Sequence, residues 1–291
     1  MNAVGLVIVE GPTDVLILDC IVPNGFMVMP CGGKFQMKTY LEVYSNRTDL
    51  AVHFDPRLAV GFRDRDFDFP MPEQQTLSTA GGKPLQDAGQ CPVFVSHRRT
   101  IENYLIAPAD YSSYYNAKRL QAAWLPSESE YADRLRQAAE DIRHYQAVLA
   151  ALGEVRRPNT LGTTLLGSSG EPLRSGVLPT QLGEAYCLQA AHDILHAYRQ
   201  SASNIGDDSA FEAAYKRHLA LFDEEFMAHG KYMEWFQGKD LKAAMRLRWP
   251  NNRPGFPWSD FEKHAILNFD HTQFPDLVEF RLILQQRLSQ N

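Results

Sequence analysis

Gly5 to Val9 form an unbroken apolar or glycine run that ends in Glu10-Gly11-Pro12-Thr13-Asp14. A second run, Leu58 to Phe62, ends in Arg63-Asp64-Arg65-Asp66. Short continuous apolar runs bounded by turn residues predict strands buried on both faces. The same pattern predicts strands over 4–9, 25–29, 57–64 and 92–96, with helices over 12–21 and about 34–46 between them. Such alternation predicts an α/β fold: a mostly parallel sheet joined by helical crossovers and flanked by helices. Pro12 suits the start of a helix, where its missing N–H costs nothing. Cys31-Gly32-Gly33-Lys34 reads as a strand-to-helix turn without the spacing of a phosphate-binding P-loop. Residues 70–91, with three prolines among glycines and glutamines, predict a long loop or a small hairpin.

After Leu105 the pattern turns helical. Ser127-x-x-Glu130 is a capping-box signature, and Tyr131, Leu135, Ala138, Ile142, Tyr145, Leu149 and Leu152 follow at alternating four- and three-residue steps. That spacing predicts a helix of about 25 residues with one narrow apolar seam, as in helical hairpins and coiled coils. It fits an intramolecular hairpin or a protruding arm that touches a second subunit. Residues 153–177, rich in Gly, Ser, Thr and Pro, predict a hairpin tip or linker. Further helices are expected at about 178–203, 208–228, 239–248, 259–267 and 274–289. The organisation expected is a catalytic core over 1–107, a helical insertion over 108–200 and a C-terminal helical region over 201–291.

The chain has 291 residues, 44% hydrophobic and 22% charged, enough for one large domain or two modest ones. Four scattered cysteines without a C-x-x-C, no basic segment with an apolar stretch behind it, and no apolar run near the roughly 20 residues that span a bilayer predict a cytoplasmic protein without disulfides, zinc or a membrane span. The nine histidines lack metal-ligand spacing, and His97 reads as structural or phosphate-facing. A net charge of −6 is unlike a surface made for nucleic acid. Positive charge is concentrated, however, at His97-Arg98-Arg99 and in 239–253, where Lys239, Lys242 and Arg246 share a helix face as a phosphate rail or as an ordinary solvated surface.

Glu10 and Asp64 stand at the ends of predicted strands, where open α/β sheets collect their ligand sites. Carboxylates on such a rim suit Mg²⁺, a hard cation that takes oxygen ligands and keeps several waters. Asp64 and Asp66, two apart on a strand, would face one side. Glu10 on the neighbouring strand would bridge to the ion or act as general base. Asp14 and Asp68 are further acids of the same group. Each acid taken singly is equally a solvated turn residue or a helix cap.

These paired motifs resemble the Toprim domain of topoisomerases, bacterial primases and OLD-family nucleases. Glu10, Gly11 and Asp14 match its first motif, and Asp64 and Asp66 its D-x-D. Pro92 to Ile106, with Arg99-x-Ile101-Glu102-Asn103-Tyr104-Leu105, resembles the element that follows in OLD-like members, and Gly238 to Met245 is similar to their late Gly-Lys-Asp-Leu segment. The resemblance covers the first 107 residues and, beyond them, only that late segment. It implies a Mg²⁺-dependent (or Mn²⁺-dependent) endonuclease with Glu10, Asp14, Asp64, Asp66 and Glu102 as metal ligands. Asn103 would orient Glu102, and Lys239 would steady the phosphate or pair with one of the carboxylates. It further implies a homodimer, an ABC-type ATPase partner in anti-phage defence, and a nucleic-acid substrate, either RNA such as host tRNA or DNA. Topoisomerase and primase activities are disfavoured: Tyr104, Tyr114 and Tyr115 lack a gating context, and no zinc module or polymerising region is evident. A catalytically degenerate binding module is the alternative from a different class.

Overall fold

The computed structural model describes residues 4–46, 54–82, 85, 91–156, 173, 176–201, 205–250 and 254–290. By packing, the chain divides into two compact units, Met1–Arg65 with Met71–Ile101 and Ile266–Asn291, and Asp66–Pro70 with Glu102–Ala265.

The first unit is built on β1 (Val4–Val9), α1 (Pro12–Leu18), β2 (Phe26–Pro30), α2 (Lys34–Asn46), β3 (Phe54–Arg63), β4 (Ser78–Thr79) and β5 (Val93–Val95). The sheet order is β2-β1-β3-β5-β4; only β4 is antiparallel, pairing with β5. The expected α/β fold with a mostly parallel sheet is thus present, and β4, within 70–91, pairs antiparallel with β5. β1 lies between β2 and β3, and Leu6 to Val9 are all buried, as continuous apolar strands of a parallel sheet should be. The last helix of the chain, Pro275–Ser289, belongs to this unit. Its Phe280 ring packs 4.8 Å from Phe62 and 5.5 Å from Phe94, and Asp276 in its first turn accepts the His97 backbone N–H at 2.8 Å.

The second unit holds α3 (Pro108–Lys118), α4 (Glu128–Val155), α5 (Glu184–Ser201), α6 (Asp208–Leu221), α7 (Glu224–Ala228), α8 (Tyr232–Trp235), α9 (Gly238–Leu247) and most of α10 (Trp258–Leu267), which makes Pro275–Ser289 α11. Ser127 caps α4 as its signature predicts, accepting from Glu130 N at 3.2 Å. All seven seam residues are buried. The helix is the centre of its unit rather than an arm, with α3, α5, α6, α7 and α9 packed around it. Over its last turns Ala147, Val148, Ala150 and Ala151 are buried too, because alanine lets neighbouring helices approach on every side. Residues 108–200 and 201–265 therefore pack as one body. Most of the expected linker, 157–172, lies outside the described residues.

The tyrosines near the resemblance motifs are core residues. Tyr104 and Tyr114 are buried, and Tyr111 stacks on Tyr131 at 4.1 Å with its hydroxyl on Pro126 O. Burial raises the pKa of both Tyr111 and Tyr131, the opposite of what a nucleophile needs. No described helix is long and apolar enough to cross a membrane, and all four cysteines are free thiols.

Candidate functional site

In the first unit the parallel pairing of β1 with β3 sets Ile8 opposite Gly61. Glu10 and Arg63 accordingly leave the same edge of the sheet as neighbours, with Arg63 Nε 3.5 Å from Glu10 Oε1. Asp14, 8% exposed, folds back at the third position of α1 and accepts the Gly11 N–H at 2.7 Å, capping that helix. Gly11 itself is extended (φ −148), and a Cβ there would meet nothing nearer than Asp14 Oδ2 at 4.0 Å. The chain bends at Glu10 and Gly11 without a left-handed residue, and the space beside Gly11 is open.

β3 ends at Arg63, one residue before the strand end expected from the apolar run. Arg65 is buried and donates to Ser96 O (2.9 Å), His97 O (3.0 Å) and Ser78 Oγ (3.1 Å), which draws the chain away from the strand path. Asp66 then takes a left-handed conformation (φ 45), one that Asp tolerates better than most residues. Alternation along a strand therefore does not relate Asp64 to Asp66. Asp64 follows β3 in the first unit, whereas Asp66 opens the 66–70 segment of the second unit.

That segment is held on α4. Arg156, 3% exposed, forms an ion pair with Asp68. A Cβ on Gly153 would lie 2.3 Å from Phe67 O, so only glycine allows the segment to sit this close. Asp68 is thus a structural anchor.

Glu102 stands in the 3₁₀ turn Ile101–Tyr104 at 4% exposure. Its Oε1 is 3.2 Å from Lys239 Nζ, which realises one of the two expected roles of that lysine. Its Oε2 has no hydrogen-bond partner. Lys239 is the second residue of α9 and reaches Glu102 because Gly238 lets α9 approach: a Cβ there would lie 3.0 Å from both Asn103 N and Glu102 Cβ. Asn103 is buried and bonds α9 rather than the glutamate. It accepts from Gly238 N at 3.1 Å and donates to Met233 O and Phe236 O, both at 2.9 Å.

Two residues of the neighbourhood escaped the sequence reading. Gln146, wholly buried on α4, accepts from Gln237 N at 3.1 Å and donates to Asp240 Oδ2 at 2.8 Å. The signal for it was an amide inside the apolar stretch Tyr145 to Leu149. Burial pushes the Asp240 carboxyl up to about 7, against the lowering effect of the Gln146 amide and the Lys239 charge. The Gly-Lys-Asp-Leu spacing alone gives no sign that its Asp is buried.

The basic clusters are largely committed elsewhere. Lys242 pairs with Glu262, Arg248 with Asp141, and the Arg98 guanidinium sits 4.8 Å over the Phe274 ring, while His97 and Arg99 are buried. Of the rail, Lys239 and Lys242 are paired and Arg246 is exposed, while Arg253 lies outside the described residues. His97 is structural, its backbone bonded to Asp276 and Arg65.

Among the described residues no group of three or more His, Cys, Asp or Glu side chains is arranged as a metal cage. One buried oxygen nonetheless has the chemistry of a hard-cation ligand. A buried carboxylate oxygen without a hydrogen bond, such as Glu102 Oε2, is a costly feature that a cation would compensate. No protein-family model matches the chain, and no curated protein is significantly similar to it.

Proposed function

We propose that the protein is a Mg²⁺-dependent (or Mn²⁺-dependent) Toprim-type endonuclease that hydrolyses phosphodiester bonds in nucleic acid. The observation that carries this is the pairing of β1 with β3. These strands are distant in the chain yet adjacent and parallel, so Glu10 and the start of the D-x-D motif leave one edge of the sheet, as the sequence resemblance requires. The sequence resemblance, rather than a contact in the structure, names Glu10, Asp14, Asp64, Asp66 and Glu102 as the residues that would hold the metal. When bound, such an ion activates a water and steadies the charge on the scissile phosphate. Glu10 takes the proton of the attacking water as general base. Lys239 turns its ammonium from Glu102 toward the phosphate. Within the OLD-like family the nearest likeness is to AriB, the nuclease subunit of the PARIS anti-phage system. On that likeness the protein is a homodimeric cytoplasmic toxin restrained by an AriA-like ATPase, with host tRNA as substrate. DNA cleavage of the general OLD type is the alternative for the same site.

One observation favours a second reading, a degenerate module that binds without cutting. Glu10 is matched by Arg63 and Glu102 by Lys239, so two candidate ligands already have cationic partners. The two readings part in a cleavage assay of the purified protein on tRNA, single-stranded RNA and plasmid DNA with Mg²⁺, Mn²⁺ or EDTA. Cutting of one substrate, abolished by EDTA, is the expected result and identifies that substrate. No cutting of any substrate with either ion contradicts the nuclease.

A further inference from the structure

The first turn of α9 is gripped by two buried side-chain amides. Gln146 uses both ends of its amide at once: Oε1 accepts from Gln237 N at 3.1 Å while Nε2 donates to Asp240 Oδ2 at 2.8 Å. Asn103 does the same on the residues just before the helix and at its first position, accepting from Gly238 N and donating to Met233 O and Phe236 O. Lys239 lies between the residues so held. Gln237 and Gly238 precede it, Asp240 follows it, and the Gly176 N–H also reaches the Asp240 carboxylate. With that turn fixed, the Lys239 side chain meets Glu102 Oε1 at 3.2 Å.

We propose that Gln146, acting with Asn103, is a positioning residue of the site: it sets the first turn of α9 so that Lys239 is delivered onto Glu102. The catalytic meaning of this placement rests on the nuclease reading, whereas the placement itself does not. The chemistry selects an amide. Only a neutral group with one acceptor and one donor end satisfies a backbone N–H and a carboxylate together. Gln146 is 0% exposed in an otherwise apolar part of α4, where an amide with either end unsatisfied is costly. Apolar packing alone would be served better by Leu or Met.

The donor and acceptor polarity provides the test. Gln146→Glu, labelled at a pH well above the Asp240 value so that the two carboxyls share no proton, sets a second carboxylate against Asp240 and should loosen the turn. Adding Asp240→Asn restores the bonds with reversed polarity, because the new amide donates to the introduced carboxylate while its other oxygen still accepts from Gln237 N. The readout is the acetylation rate of Lys239 in the full-length protein, measured by peptide mass spectrometry relative to the exposed Lys216 on α6. Gln146→Glu should raise that ratio about fivefold, the scale of one lost hydrogen bond, and the double variant should return to within about twofold of wild type. Where the wild type cuts nucleic acid, kcat should fall in Gln146→Glu with KM little changed, and recover in the double variant. If Gln146→Glu fails to fold, Gln146→Met keeps the shape, removes both bonds and should raise the labelling ratio likewise. An unchanged Lys239 ratio in a folded Gln146 variant, or a double variant that folds but does not recover, overturns the proposal. A protein that cuts nothing yet shows this labelling pattern keeps Gln146 as the positioning residue and loses the nuclease.

Discussion

Asp240 is the residue whose environment departs most from what its position in Gly-Lys-Asp-Leu foretold. It is 1% exposed, and its carboxyl is pushed up to about 7 chiefly by burial. The sign follows from linkage. Below about pH 4 the folded and unfolded chains both carry this proton and its contribution to stability is complete. Between about pH 4 and 7 the unfolded chain ionises while the folded one resists, so stability falls as pH rises through that window. Asp240→Asn should remove this fall. The difference between variant and wild type in urea unfolding should grow in favour of the variant across the window, by about 4 kcal/mol at most at 1.36 kcal/mol per pKa unit. A constant difference with pH would mean that the carboxyl titrates alike in both states. Gly238 gives a second prediction at this scale. Gly238→Ala places a methyl 3.0 Å from Asn103 N and Glu102 Cβ, so it should lower stability by about 1–3 kcal/mol and raise Lys239 labelling. Single residues were the least legible part of the chain. Glu10 and Asp64 could be placed at strand ends from apolar runs alone, and the Asp14 cap on Gly11 N is local, but that Arg63 pairs with Glu10 and that Asp68 belongs to Arg156 depends on neighbours distant in sequence.

At the scale of elements, periodicity and caps carried far. The apolar runs located β1 and β3, and the capping box located the start of α4. Ser127→Ala should therefore destabilise the second unit by about 1 kcal/mol, measured by thermal or urea unfolding. What periodicity concealed was the burial of the rest of α4. Its alanines look neutral in a heptad pattern, whereas five helices pack on them, and a seam suited to an arm became the centre of a unit. The Asp-x-Asp spacing predicts Asp64 and Asp66 on one side of a strand, whereas the chain departs from β3 before Asp66. The course of 66–70 is set by two tertiary features, the buried Arg65 and the Arg156–Asp68 pair on α4. Arg156→Ala leaves Asp68 without its buried partner and should cost about 3–5 kcal/mol, the range for breaking a buried pair, with hydrogen exchange rising across 66–70. Exchange that rises elsewhere but not there would show that the pair does not anchor this segment.

For the whole molecule, the alternation of apolar runs foretold the α/β class, no described helix is long and apolar enough to cross a membrane, and α11 completes the sheet unit through Phe280. Formal charge said less, because most of the clustered Lys and Arg side chains are spent on ion pairs, on Phe274 or in the core, and are no free patch for phosphates. The proposed activity therefore rests on the acidic strand ends more than on a basic surface. Its most direct test is metal-dependent cleavage by the wild type, Glu10→Ala and Asp64→Asn under identical conditions, with melting temperatures to confirm that each variant is folded. Wild-type cutting in Mg²⁺ that drops at least about a hundredfold in both folded variants, as general-base loss alone would give, is the predicted result. Cutting that persists unchanged in either variant would contradict the assignment of the acidic strand ends as the catalytic centre.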